Sequence, residues 1–339
     1  MPPVELRIVH PGPAAVESGV LQLPLFNLQR GGRLEDVRVA WRLAGAVDAP
    51  VVAALGGISA HRRVCDVADP RDAWWSAIAG PDLPLDTSRF RVLGIDWLGG
   101  SGESTGAQGT WDGVTPLDVR DQARALVAVC DHLGIARLHA VAGASYGGMV
   151  GFALAELAPA RVRHLLAISA AHRSNALSTA WRAIQREIVR QALHRGDGVG
   201  GLRIARALAM TTYRTRADLN SRFPVDVPSN GRTDFAVEDY LFARGEDYAR
   251  RHTPESFLCL SESIDLHRVD PGKIRVPVTL VAICEDQLVP IEDMRELAAS
   301  LAGPCRLIEI HSNYGHDAFL KERELLAPAF AAALDGDRP

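Results

Sequence analysis

What the chain lacks narrows its chemistry first. Its 339 residues include five cysteines, Cys65, Cys130, Cys259, Cys284 and Cys305, an odd number with no CxxC pair. That spacing offers neither a disulfide framework nor a zinc site, and it fits a reducing compartment. No dense Lys/Arg block breaks a sequence of formal net charge −4, so a phosphate-neutralising track for nucleic acid is not expected. No uninterrupted apolar run is long enough to span a bilayer, and Met1-Pro2-Pro3-Val4-Glu5-Leu6-Arg7 lacks the basic-then-apolar pattern of a signal peptide. The expectation is a cytoplasmic protein that uses neither membrane nor nucleic acid. Internal repeats and low-complexity tracts are missing too. What remains, 47% hydrophobic and 23% charged residues, is the composition of a globular protein with a substantial core.

Short β-branched runs alternate with helical patterns. Residues 37–41, 51–55, 90–95, 138–142, 162–168, 276–283 and 305–310 read as strands. Between them apolar residues recur at helical spacing, as Val119, Ala123, Leu126, Cys130 and Leu133 do ahead of a Gly134 stop. Further helices are expected over 149–157, from 291 and from 321. The alternation predicts an α/β fold, a mostly parallel sheet with helices on both faces. From about 171 to 271 it gives way to helical patterns alone, at 181–193, 202–210 and 237–250. The expected organisation is a core of residues 1–170 and 272–339 with a helical lid insertion, 171–271, over the carboxyl ends of the strands, where such sheets bind ligands.

The strongest local signal is Gly143-Ala144-Ser145-Tyr146-Gly147, a GxSxG pattern after an apolar strand and before a helix. A bare GxSxG arises by chance, but in that context the serine sits on a strained turn that projects its Oγ, with the N-terminus of the helix beneath it. Serine is a weak nucleophile without a base, and the base needs a carboxylate to fix its tautomer. Strand-turn-helix nucleophiles take these partners in the order Ser, acid, His, the acid after a late strand and the His after the last one. Asp286, in Cys284-Glu285-Asp286-Gln287, fills the first position, and His316, in Asn313-Tyr314-Gly315-His316-Asp317, fills the second. The adjacent Glu285 competes for the acid role; Asp286 is preferred for its distance past the strand. Backbone N–H groups of Tyr146 and Leu55, the latter opening Leu55-Gly56-Gly57, are placed to form an oxyanion hole. The same glycines would also serve a plain turn.

With these residues in view, the chain resembles the homoserine O-acyltransferases of the α/β-hydrolase superfamily. The resemblance extends to Trp74-Trp75, Leu85-Asp86-Thr87-Ser88-Arg89-Phe90, Leu98-Gly99-Gly100-Ser101, and Ser145-Tyr146-Gly147-Gly148-Met149. In the insertion it covers Gly201-Leu202-Arg203-Ile204-Ala205-Arg206, Met210-Thr211-Thr212-Tyr213-Arg214-Thr215 and Phe235-Ala236-Val237-Glu238-Asp239-Tyr240-Leu241, and near the end Gly315-His316-Asp317-Ala318-Phe319-Leu320. It implies ping-pong transfer from acetyl-CoA or succinyl-CoA through an acyl-Ser145 to the hydroxyl of homoserine, in methionine biosynthesis. It assigns Arg206 and Asp317 to the amino-acid substrate, and no bound cofactor or metal. It also implies a homodimer through the lid helices. A zwitterionic acceptor wants one cation and one anion at fixed separation, which suits that pair.

Two departures from the family stand out. The stretch between Gly106 and Leu117 is short, trimming an entrance loop, and Gly57 is followed by Ile58-Ser59-Ala60-His61-Arg62-Arg63. Arg62 or Arg63 is a candidate for the distal carboxylate of a succinyl group or a CoA phosphate, with a solvated basic loop as the alternative. A serine O-acyltransferase of the same family and an esterase are the other catalytic readings; a non-catalytic hydrolase-fold binding protein is the remote one.

Overall fold

A run such as Val51-Val52-Ala53-Ala54-Leu55 has no polar face to give to water, so as a strand it belongs inside a sheet covered on both sides. That is where the computed structural model, which describes residues 14–65, 72–107, 116–223 and 235–336, puts it. The large sheet runs β1 (Ala14–Asn27), β2 (Arg33–Ala46), β6 (Arg91–Ile95), β3 (Val51–Leu55), β7 (Ala140–Ala144), β8 (Leu165–Ile168), β9 (Val278–Ile283), β10 (Cys305–Ile310). The pairings of β1 with β2 and of β2 with β6 are antiparallel, and the others are parallel. Strands β4 (Ala79–Gly80) and β5 (Leu85–Asp86) form a separate small ladder. Successive residues of β3 serve opposite faces: Val52 and Ala54 pack with Trp75 and Phe330, Ala53 and Leu55 with Leu126 and Phe152.

Helices α1 (Val119–His132) and α2 (Tyr146–Leu157) cover one face, and α9 (Arg323–Asp335) packs on the other. The side chain of Asp118 caps α1 by accepting from Arg120 N at 3.0 Å, while Asp121 accepts from Asp118 N at 2.8 Å. That reciprocal pair satisfies donors that a helix start leaves open. The first ten residues of α2 are all buried, as a helix without a polar face requires. Helix α8 (Ile291–Ser300) joins β9 to β10.

Among the described residues, five α-helices lie between β8 and β9: α3 (Ala176–His194), α4 (Gly198–Tyr213), α5 (Arg216–Arg222), α6 (Ala236–Ala249) and α7 (Pro254–Asp265). The described residues of this stretch contain no strand. Helix α4 packs against α3, α6 and α7. The trimmed loop after Gly106 lies mostly outside the described residues, at 108–115. No helix among the described residues is long and apolar enough to cross a membrane.

Among the elements that the sequence pattern does not announce, which include β4, β5, α5 and α7, strand β1 is the longest. Its register with β2 steps over Pro24, from Leu23 opposite Val37 to Leu25 opposite Glu35. Only an edge strand tolerates the missing donor. Smaller differences are in boundaries: α2 begins at Tyr146 rather than 149, immediately after the serine, and β8 is confined to Leu165–Ile168.

Candidate active site

The turn after β7 shows why this segment needs its glycines. Ser145 has φ +53 and ψ −121, a backbone region that costs a non-glycine residue roughly 1–3 kcal/mol and persists only where its surroundings enforce it. They do so by close packing. A Cβ on Gly143 would sit 2.4 Å from the carbonyl oxygen of Gly147, and one on Gly147 would sit 2.1 Å from that of Leu55. The N–H of Gly147 donates to Gly56 O at 2.8 Å, and those of Gly148 and Met149 to Ser145 O at 2.9 and 3.2 Å. The N–H of Tyr146 precedes them at the first position of α2.

Two loops bring partners to the serine. Asp286 lies three residues beyond β9 and His316 six beyond β10, in a 3-10 turn over Gly315–Leu320. His316 Nε2 is 2.8 Å from Ser145 Oγ, and His316 Nδ1 is 2.7 Å from Asp286 Oδ2. The other oxygen, Asp286 Oδ1, accepts from Leu288 N at 2.8 Å and Val289 N at 3.1 Å, so the carboxylate is held on both sides and is shut off from water. Burial alone would lower the pKa of His316, but the charge and hydrogen bond of Asp286, with the charge of Asp317, outweigh it and raise the pKa above the ordinary 6.5. Glu285 faces elsewhere, accepting from His311 Nδ1 at 2.7 Å and Ser312 N at 2.9 Å.

Ser145 opens on a cavity of about 740 Å³, within the usual range for small-molecule sites. Helices α4 and α6 supply its far wall. The guanidinium of Arg206 lies 4.9 Å from the ring centres of both Tyr213 and Tyr248. Among the described residues no carboxylate is within ion-pair distance of it. Burial works against its charge, yet Tyr213, Tyr248 and Asp317 leave its pKa above the ordinary value. Asp317 lines the same cavity. Arg206, with no carboxylate in ion-pair range among the described residues, and the Asp317 carboxylate thus face one space beside the serine.

Arg62 and Arg63 line the cavity as well, but Arg62 is already engaged. Its Nη1 is 2.5 Å from Asp96 Oδ2, its Nη2 reaches Glu103, and its N–H donates to Asp96 Oδ1 at 2.7 Å. Arg63 is 3.4 Å from Asp72 with its side chain 41% exposed. Leu55 lies at the end of β3, next to the serine turn, while Gly57 and Ile58 reach the cavity surface. Sequence reasoning missed Tyr213 and Tyr248. Tyr213 lies two helical turns after Arg206 on α4, a spacing that puts both on one face; Tyr248 comes from another helix and carries no such sign.

A serine on a strand-turn-helix bend, its imidazole and a buried carboxylate, over a mostly parallel sheet, define an α/β hydrolase. The chain belongs to the alpha/beta hydrolase fold family, whose model matches residues 67–322. Within it the chain belongs to the homoserine O-acyltransferases, enzymes that place an acetyl or succinyl group on homoserine. It is 40% identical over 326 residues, 95% of this chain and 84% of the relative, to homoserine O-succinyltransferase of Xanthomonas campestris pv. campestris. To homoserine O-acetyltransferase of Clavibacter michiganensis subsp. michiganensis it is 33% identical over 350 residues, 91% of this chain and 90% of the relative. The crystal structure of homoserine O-acetyltransferase from Bacillus anthracis matches with a TM-score of 0.84 at 18% identity, over 94% of this chain and 98% of that one. Esterase E22 matches with a TM-score of 0.84 at 20% identity, over 94% and 100%; such low identities speak for the fold alone.

Proposed function

We propose that the acyl group comes from a coenzyme A thioester, rests on Ser145, and leaves on the hydroxyl of homoserine, opening a route to methionine. The observation that carries this is the unbroken chain of contacts from Asp286 through His316 to Ser145, facing a cavity that also holds Arg206 and Asp317. In the first half-reaction His316 Nε2 takes the Ser145 proton as Oγ attacks the thioester carbonyl. The N–H groups of Tyr146 and Leu55 receive the oxyanion. The carbon–sulfur bond then breaks, and the proton on His316 goes to the departing thiolate. In the second half, His316 takes the hydroxyl proton of homoserine, which attacks the acyl-serine; the ester bond to Oγ breaks and Ser145 regains its proton. Arg206 receives the carboxylate of homoserine and Asp317 its ammonium group, so the amino-acid hydroxyl rather than water reaches the acyl carbon.

We take succinyl as the preferred acyl group, because the relative at 40% identity bears that name and Arg62 and Arg63 line the cavity. Arg63, with its side chain 41% exposed against 16% for Arg62, suits a distal carboxylate better than Arg62 does. Residues 171–271 act as the lid. The protein works in the cytoplasm as a homodimer, in which the exposed apolar side chains of Leu177, Ile184, Ile204 and Phe242 on the lid helices face a second copy. Release of CoA from succinyl-CoA or acetyl-CoA, with homoserine, serine or water as acceptor, tests the reading. Homoserine-dependent release is expected, and Arg206→Ala should raise the KM for homoserine about 30-fold or more, since it removes a charge-assisted contact of about 2 kcal/mol. Rapid release without an acceptor would favour an esterase; preference for serine would change the acceptor.

The raised pKa of His316 fixes the sign of the pH dependence. The imidazole must be neutral to accept the Ser145 proton, so acylation should fall as pH drops through a value above 6.5. The pH profile of kcat/KM for the acyl donor checks it, and an acid limb centred below the ordinary histidine value would contradict it.

A further inference from the structure

The loops carrying Asp286 and His316 are fastened to the end of α4 and the residues after it at several points. Thr215 Oγ1 donates to Asn313 O at 2.6 Å, across 98 residues of sequence. Gln287 Nε2, beside Asp286, donates to Arg214 O at 3.3 Å. The Tyr213 ring lies 5.8 Å from that of His316. Gly315, at φ +57, is so close that a Cβ there would come within 2.8 Å of Tyr213 O. At the centre is Arg214, with its side chain only 10% exposed, its Nε 3.1 Å from Asp317 Oδ2 and its Nη1 3.8 Å from Asp218 Oδ2. The guanidinium also lies over the Tyr314 ring, 5.4 Å from its centre.

Arg214 does not line the cavity, whereas Asp317 does. Among the described residues its Nε–H has no aligned hydrogen-bond acceptor, so the approach to Asp317 is a close charge attraction rather than a directed bond. A buried carboxylate with no cation behind it would be drawn toward another positive group of the site, and the charge of Arg206, which lines the same cavity, already interacts with that of Asp317. Arg214 supplies the competing attraction from the protein side.

We infer that Arg214 is a positioning residue for the acyl acceptor: it holds the Asp317 carboxylate in the orientation that meets the ammonium group of homoserine. This rests on the reading that Asp317 receives that group. Arg214 touches neither reactant, and its effect belongs to the second half-reaction. Acylation of Ser145 needs Asp286 and His316 but no acceptor.

The test compares R214Q, R214K and D317N with the unaltered protein in two assays. One is the burst of p-nitrophenol from a p-nitrophenyl ester without acceptor; the other is the KM for homoserine in CoA-dependent transfer. R214Q should raise the KM about ten- to a hundredfold, the effect of a lost charge-assisted contact, with the burst rate within about twofold. R214K, which keeps the charge but not the planar fork, should recover most of the affinity and leave a rise of about threefold. An unchanged KM in R214Q, or a burst slowed as much as transfer, overturns the inference. Should R214Q not fold, R214K decides, and an unchanged KM there overturns it equally. D317N separates the two readings. If it leaves the KM unmoved, the assignment of Asp317 fails and the inference falls with it; if D317N raises the KM and R214Q does not, the inference alone fails.

Discussion

Ser145→Ala is expected to cut acyl transfer at least about 10⁴-fold while the protein stays folded, because the proposed mechanism gives Ser145 the acyl group to carry between donor and acceptor. Stability should hardly change. The Ser145 hydroxyl bonds to His316 Nε2, and such a bond contributes about 1 kcal/mol. The left-handed backbone at φ +53 strains alanine no more than serine. Homoserine-dependent CoA release and a thermal melt, measured together, check both halves. Residual transfer above a few per cent of the original would mean that the acyl group passes directly from thioester to homoserine.

Asp286→Asn should be nearly as damaging, with kcat/KM down by about 10³–10⁴, and the geometry says why. Asp286 Oδ1 already accepts from Leu288 N and Val289 N, so the amide oxygen of asparagine must take that side. Its NH₂ then points at His316 Nδ1, where the carboxylate now stands 2.7 Å away. A donor there forces Nδ1 to accept, which moves the ring proton to Nε2 and turns it toward Ser145. The imidazole can no longer receive the serine proton. A loss of less than tenfold, in a protein of unchanged melting temperature, would show that Asp286 does not fix the tautomer.

These two positions were legible in the sequence because each constraint acts locally. Gly143 and Gly147 are required where a Cβ would meet backbone, so the serine bend leaves a written pattern. Asp286 and His316 each follow a strand at short distance, and strand β9 is buried at every position. The fold was legible for the same reason across its parallel strands. Strand β1 was not: it pairs on one side only, Val16, Val20 and Leu25 are exposed, and Pro24 interrupts its pattern. Arg206 and Asp317 came from family resemblance, since an arginine on a helix has many possible partners. What placed Tyr248 beside Arg206, and Arg214 beside Asp317, is the folding of the insertion over the sheet, and no spacing along the chain encodes it. The ion pairs of Arg62 with Asp96 and Glu103 were hidden likewise, so a side chain that looks available in a basic loop is committed in the fold.

The most direct measurement is the intact mass of the protein quenched after brief exposure to succinyl-CoA or acetyl-CoA, followed by peptide mapping. The account predicts a single acyl adduct on the peptide containing Ser145, formed without acceptor and discharged when homoserine is added. An adduct on another residue, or brisk transfer with no adduct on rapid quenching, would contradict it.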